Sequence, residues 1–201
     1  MYTNTVDGVS WVYVYSPERR IGWVDDQYLT EYVTPASFAA DSRTVALIAS
    51  LKQAMNTADG NLFASLVSPK HGLRIGYHGS NGPGIVFMPE QARNAFTSTE
   101  IISWGPEGAS GVDAVGTFSE KVKPKLLDAL NANYELAPDT VRYAYMYYEP
   151  WPSAYQNLNF ISLLKPPTPE IVFDWREWLV GIEYVNGTPY IACLLHYVWE
   201  P

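Results

Sequence analysis

Cysteine is almost absent: Cys193 stands alone in 201 residues, so neither an intrachain disulfide framework nor a multi-cysteine metal site can form. Histidine is nearly as scarce. His71, His78 and His196 are the only three, and none belongs to an H-E-x-x-H or other short-spaced pair, so no metal and no cofactor is expected. Basic charge is also low. Thirteen Lys+Arg face 21 Asp+Glu, a formal net charge of −8, without the basic footprint of a nucleic-acid binder. No run reaches the ~20 apolar residues of a membrane-crossing helix, so no transmembrane span is expected. Residues 79–84 and 105–116 are glycine-rich but carry no G-K-[ST] and no strand–G-x-G-x-x-G–helix context, so neither reads as a phosphate loop. Ser110 and Ser119 lack a G-x-S-x-G elbow. What the chain does have is apolar surface. Hydrophobic residues make up 47% against 17% charged, which argues for a packed core rather than disorder. The length allows one full domain plus a small module. Fifteen Tyr, 7 Trp and 7 Phe are the one excess, so where these rings gather becomes the question.

Residues 9–15 (V-S-W-V-Y-V-Y) read as a strand, 16–20 as a polar turn, and 21–24 (I-G-W-V) as a second strand closed by Asp25, Asp26, Gln27, Tyr28 and Leu29. Residues 31–40 hold Pro35 and small side chains and read as a linker. Asp41 and Ser42 are placed to cap a helix in which Val45, Ile48, Leu51 and Met55 recur at helical spacing. Asp59-Gly60 breaks it. A short helix over 61–67, a strand over 73–77, a turn over 79–84 and a helix over 89–96 with Pro89 at its first position follow. Residues 100–104 read as a strand and 105–116 as a loop. Thr117 and Glu120 have capping-box spacing and open a helix to about residue 131, where Pro124 marks a kink or a start. Residues 141–148 read as an aromatic strand, 157–165 as another, and 166–169 (P-P-T-P) as a rigid connector. The clearest element is the last. Residues 172–185 and 188–199 are long strands joined by Asn186-Gly187, the favoured pair for a two-residue type I′ hairpin. An uninterrupted register places Ile182, Val180, Trp178 and Arg176 opposite Ile191, Cys193, Leu195 and Tyr197 on one face. Leu179, Glu177 and Trp175 then lie opposite Leu194, His196 and Val198 on the other.

The W-V-Y-V strand, polar turn, G-W-V strand and Tyr28-Leu29 closely resemble the C-terminal half of a bacterial Src-homology-three-type domain, over residues 9–30. The resemblance implies the end of a small barrel whose front half lies upstream, and an open barrel fragment is expected to pack on the main domain. Helix, helix, strands, helix and then long antiparallel strands make an α+β pattern. That order resembles the cystatin-like, nuclear-transport-factor-two-like cone, a curved antiparallel sheet packed on helices. Residues 61–201 also resemble the domain that follows Src-homology-three-type modules in uncharacterised bacterial envelope proteins. The shared runs are L-V-S-P-K-H-G-L-R-I (66–75), S-W-G and G-T-F (within 103–118), D-W-R (174–176) and H-x-x-W-E (196–200). The expected organisation is a partial β-barrel segment over 1–34 and an α+β cone-like domain over 41–201. The resemblance implies a secreted or cell-envelope bacterial protein, its signal peptide outside this chain, that contacts a cell-wall glycan, a peptide or a small-molecule ligand.

Glu177 and His196, opposite each other in the expected register, are the candidate catalytic pair, because a carboxylate orients an imidazole and raises its basicity. The bland alternative is a cross-strand contact that ties down a partly buried histidine. Asp174 and Arg176 read as an ion pair at the end of the sheet, with Arg176 also a candidate for an anionic ligand group. His71 and His78 read as loop histidines in solvent, the alternative being a zinc site with Asp113. Cys193 reads as inert core. Tyr143, Tyr145 and Tyr147 share one face of the expected strand and lead into Trp151, flanked by Pro150 and Pro152; such rings suit sugars or peptide segments. The candidate ligand-binding residues are therefore Trp104, Trp151, Trp175, Tyr145, Tyr147 and Arg176. Non-enzymatic ligand binding is the leading expectation. A cone-type hydrolase or isomerase using His196 and Glu177 is the alternative, and a face-to-face homodimer is a third.

Overall fold

Asp7 and Gly8, with φ of 51° and 81°, turn the chain between β1 (Tyr2–Val6) and β2 (Val9–Tyr15), a pairing the sequence reading did not foresee. With β3 (Ile21–Asp25) they form an open antiparallel sheet in the order β1-β2-β3. The computed structural model describes residues 2–16, 19–77, 86–107, 111–146 and 149–199. Val12 and Val14 of β2 turn toward the tip of the last hairpin, where they share a cavity of about 690 Å³ with Tyr184 and Val185. On the other face Tyr13 packs against Tyr2 and Trp23, centroids 6.4 and 5.2 Å away.

The expected linker is partly helical. Thr34 caps α1 (Pro35–Ala40) by accepting from the N–H of Ser37, Pro35 opens it, and Phe38 is fully buried, so a cap, a proline start and one anchor suffice for a single turn and a half. Asp41 caps α2 (Ser42–Thr57), which buries Leu47, Ile48, Leu51, Ala54 and Met55 and leaves Val45 exposed. Ala58 ends it in the left-handed region, and Asp59 caps α3 (Gly60–Leu66). Then come β4 (Arg74–Tyr77), α4 (Pro89–Asn94), β5 (Ile102–Glu107) and β6 (Val112–Gly116). The last two pair as a hairpin where a loop was expected. The Thr117–Glu120 capping box forms in full and opens one π turn at Phe118–Val122. α5 (Lys123–Asn131) continues from it with Pro124 in its first turn, where a missing N–H costs nothing.

The remaining strands are β7 (Glu135–Pro138), β8 (Asn159–Lys165), β9 (Arg176–Val185) and β10 (Thr188–Val198). The main sheet has the order β4-β10-β9-β8-β7. It is mixed rather than wholly antiparallel, since β4 runs parallel to β10. The protein is thus α+β, built on open sheets. One sheet face packs on the helices through Trp178, Val180, Ile182 and Leu194, against Leu51, Met55 and Leu126. The other face is covered by chain from the 141–158 region, whose Ala144, Trp151 and Tyr155 meet Phe160, Leu164, Leu179, Cys193, Leu195 and Tyr197. Burial on both faces is why β9 and β10 read as nearly continuous apolar runs.

Two expected strands are corrected. Residues 141–146 form loop and a short 3-10 turn, Ala144–Met146, and residues 147 and 148 lie outside the described residues. β9 begins at Arg176 rather than 172, after turns tied by a Thr168–Ile171 bridge. The register is corrected too. Asn186 and Gly187, with φ of 51° and 72°, make the expected hairpin turn, and Ile191 lies opposite Ile182. Ala192 is then an extra residue, a β-bulge, so Cys193 faces Gly181 and every later residue slips by one. Gly181 makes room for this: a Cβ there would lie 2.3 Å from the Cys193 sulfur and 3.0 Å from the Trp151 ring.

Asp41 joins α2 to the hairpin. Its carboxylate accepts from the Arg43 N–H (3.0 Å), the Arg43 guanidinium (2.7–3.1 Å) and the Tyr184 hydroxyl (2.9 Å), while Arg43 also donates to the Gly187 carbonyl. The Arg43 bonds, foremost, hold this carboxyl down from 3.8 to about 2. A depressed folded value means that its stabilisation is complete above 3.8 and lost as the pH falls through about 2. Urea unfolding from pH 7 to pH 2 should therefore show a steeper acid loss for the wild type than for Asp41→Asn. Parallel profiles would refute the assignment. Asp41→Ala should cost about 1 kcal/mol at neutral pH through the lost cap.

Candidate functional site

The bulge separates the expected catalytic pair. Glu177 lies opposite Tyr197, and His196 opposite Trp178, so their side chains leave opposite faces of the sheet. Both are fully buried. His196 packs on the helix side, its ring centroid 4.5 Å from Trp178 and 5.1 Å from Tyr77. Glu177 points into the outer layer. Its carboxylate accepts from the N–H groups of Arg142 (2.9 Å), Tyr143 (2.7 Å) and Ala144 (2.7 Å) and from the Ser162 hydroxyl (2.6 Å). Three consecutive N–H groups turned toward one anion cannot also lie in an extended strand, which explains the missing aromatic strand. A carboxylate so enclosed is an anchor and reaches no substrate.

The other expected site residues scatter. Trp104 is fully buried, donates to the Gly116 carbonyl at 3.0 Å and stacks on Phe87 (5.8 Å), which pins the β5–β6 hairpin. Trp175 is buried beside Tyr143, 5.4 Å away. Neither ring offers a face to solvent, so neither serves as a stacking platform. The Asp174–Arg176 ion pair does not form. Asp174 accepts from the Thr168 N–H at 2.7 Å, which lowers its pKa, and half-buried Arg176 faces Asp128 at 3.7 Å. Tyr145 is exposed on the 3-10 turn. Tyr147 and His78 lie outside the described residues. Cys193 is buried, but in the outer layer and not opposite Val180. Burial pushes its thiol up to about 12. Among the described residues no three His, Cys, Asp or Glu side chains converge as a metal site would need.

Trp151 alone of the expected tryptophans borders open space. It packs on Phe160 at 4.5 Å, donates to the Tyr155 carbonyl at 3.1 Å, and lines a cavity of about 290 Å³. Asp139, Gln156, Asn157 and Asn159 supply that cavity's polar wall, and Tyr32, Val33 and Pro35 its rim. A second cavity, of about 260 Å³, adjoins the first through shared Asn157 and Leu158 and is rimmed by Tyr28 and Thr30 of the same connecting segment. The two make one groove beneath residues 28–35. Sequence reasoning missed it, because its walls come from six separated stretches of chain.

At the second cavity lies a cluster that was also missed. Glu183 is almost fully buried on the same face of β9 as Glu177. It accepts from the Ser68 hydroxyl (2.5 Å) and meets His71 Nδ1 (2.5 Å), while His71 Nε2 faces the Gln27 carbonyl. Each imidazole nitrogen thus faces an oxygen, one of the Glu183 carboxylate and one of the Gln27 backbone. His71 is therefore engaged, not a free solvent histidine. Ser68 is buried, donates its hydroxyl to Glu183 and accepts from the N–H groups of Lys70 and His71, so it caps a turn. One signal was available: a lone carboxylate at 183 within an apolar strand demands donors.

Comparison with protein-family models, curated proteins and solved structures finds no match to this chain.

Two outcomes test this account. Glu177→Gln should cost about 3 kcal/mol in urea unfolding, because a donor replaces an acceptor in a buried cage, and Ser162→Ala about 1 kcal/mol. Equal small effects would show that the cage anchors nothing. Cys193 should be silent to a thiol reagent at pH 8 in the native protein and react fully once unfolded; prompt native reaction would contradict its burial.

Proposed function

We propose that this protein is a non-enzymatic binding protein of the bacterial cell envelope whose ligand is a glycan chain held in the groove beneath residues 28–35. The supporting observation is the wall chemistry of the first cavity: aromatic Trp151 and Tyr32 beside the amides of Gln156, Asn157 and Asn159 and the carboxylate of Asp139. A flat ring stacks on the apolar face of a sugar, and amides and carboxylates match its hydroxyls as donors and acceptors. Each cavity is smaller than the roughly 300–1,000 Å³ of an ordinary ligand site, so one ligand of several rings spans both. The envelope setting draws its support from the resemblance of residues 9–30 to a bacterial Src-homology-three-type module. A cone-like reading of residues 41–201 draws its own from the helices packed on one face of a five-stranded sheet.

The test is a glycan panel with peptidoglycan fragments and an N-acetylglucosamine tetramer, followed by calorimetry on each hit. Tyr32 is 80% exposed, so Tyr32→Ala should weaken binding by about tenfold with no loss of melting temperature, and Asn157→Ala should act in the same direction. Absence of binding across the panel, or hits indifferent to both substitutions, would sink the reading.

A further inference from the structure

We infer that the second cavity is an anion subsite that takes the carboxylate of an acidic sugar residue, with Arg74 as its counter-charge. The inference rests on the glycan-groove reading and names the class of glycan.

Arg74 opens the edge strand β4, pairs in register with Cys193 and is half-buried. Among the described residues its side chain makes no ion pair and no hydrogen bond, in a chain whose net charge is −8. A guanidinium at a cavity wall without a carboxylate is open to one, and its planar fork fits a carboxylate with two parallel bonds. The nearby charges do not satisfy it. Glu183, the carboxylate of this cavity's wall, is taken up by His71 and Ser68. His71 spends both nitrogens on Glu183 and Gln27, so it does not compete for the ligand. The remaining wall is neutral: Tyr28, Thr30, Tyr155 and Asn157. Burial pushes the Tyr155 hydroxyl up to about 12, so it stays uncharged and adds no repulsion. Ala192, the bulged residue of β10, lies against the same cavity, as bulges often do beside binding sites.

The neighbouring cavity decides the source of the carboxylate. Trp151, Tyr32 and the amides form a surface for a sugar ring, and the two cavities share a wall, so the anion belongs to the next ring of the same glycan.

Calorimetry with tri-galacturonate, its neutral methyl ester and the N-acetylglucosamine tetramer tests this on wild type, Arg74→Gln and Arg74→Lys. Galacturonate monosaccharide, followed by the Arg74 side-chain NMR signal, probes the subsite without the rest of the groove. The free acid should bind the wild type about tenfold or more tighter than the ester, as a charge-assisted pair gives. Arg74→Gln should abolish that preference and leave ester binding within about twofold. Arg74→Lys should keep part of the preference and serves if the glutamine variant folds poorly. Equal affinity for acid and ester in the wild type overturns the subsite while leaving the groove standing. Monosaccharide binding at Arg74 without any oligosaccharide binding upholds the subsite and removes the groove. Tighter binding of an acetylated dipeptide with a free C-terminus overturns the sugar assignment.

Discussion

Two carboxylates on one face of β9 are buried and must be supplied with donors, and much of this structure follows from that. Glu177 and Glu183 lie six residues apart, on the order of 20 Å along the strand, and both are essentially fully buried. Each such charge costs several kcal/mol to desolvate unless donors surround it. Glu177 draws three consecutive N–H groups and Ser162 onto itself, which fixes residues 142–144 against the sheet. Glu183 does the same with Ser68 and His71 and fixes residues 68–71. The outer face is therefore covered by loops held at charged anchors, while the inner face is covered by helices held by apolar contact. Loops leave gaps that helices would fill, and the groove lies in such a gap.

The groove's second wall has its own supports. Residues 28–35 are tied at one end where Gln27 meets His71 and Asp26 meets Lys70. In the middle Glu31 accepts from the N–H groups of Asn186 and Gly187, and at the other end Thr34 caps α1, which buried Phe38 anchors. A segment pinned at both ends can form a wall without secondary structure of its own. The hairpin tip thus closes β9 and β10 and also positions the connector that roofs the groove.

A single extra residue separates the chemistry expected from the chemistry found. Up to Ile191 the hairpin follows its turn. Beyond Ala192, Cys193, Leu195 and Tyr197 enter the outer layer, and His196 enters the inner one. Glu177 and His196, adjacent in an unbroken ladder, end on opposite faces, and the polar side chains gathered at a cavity are Glu183, His71 and Arg74 instead.

What the chain determined by itself is local. Asn186-Gly187 sets its turn because both residues tolerate positive φ. Asp41, Asp59 and the Thr117–Glu120 box cap their helices because the donor and acceptor sit within four residues. The helical spacing of Ile48, Leu51 and Met55 finds its core. The α+β class follows from the order of such elements. Tertiary structure decided everything that depends on distant partners. Residues 141–146 have the composition of a strand, yet a carboxylate 33 to 35 residues away captures their N–H groups. Residues 112–116 become a strand only because β5 lies beside them. The bulge at Ala192 answers a hollow at Gly181 on the neighbouring strand and a tryptophan from a loop, neither visible in the spacing of β10. Trp151 was legible as a ring bordering open space from its flanking prolines. His71, Glu183 and Arg74 were not, because what joins them is a shared cavity, and a cavity exists only once the chain has closed around it.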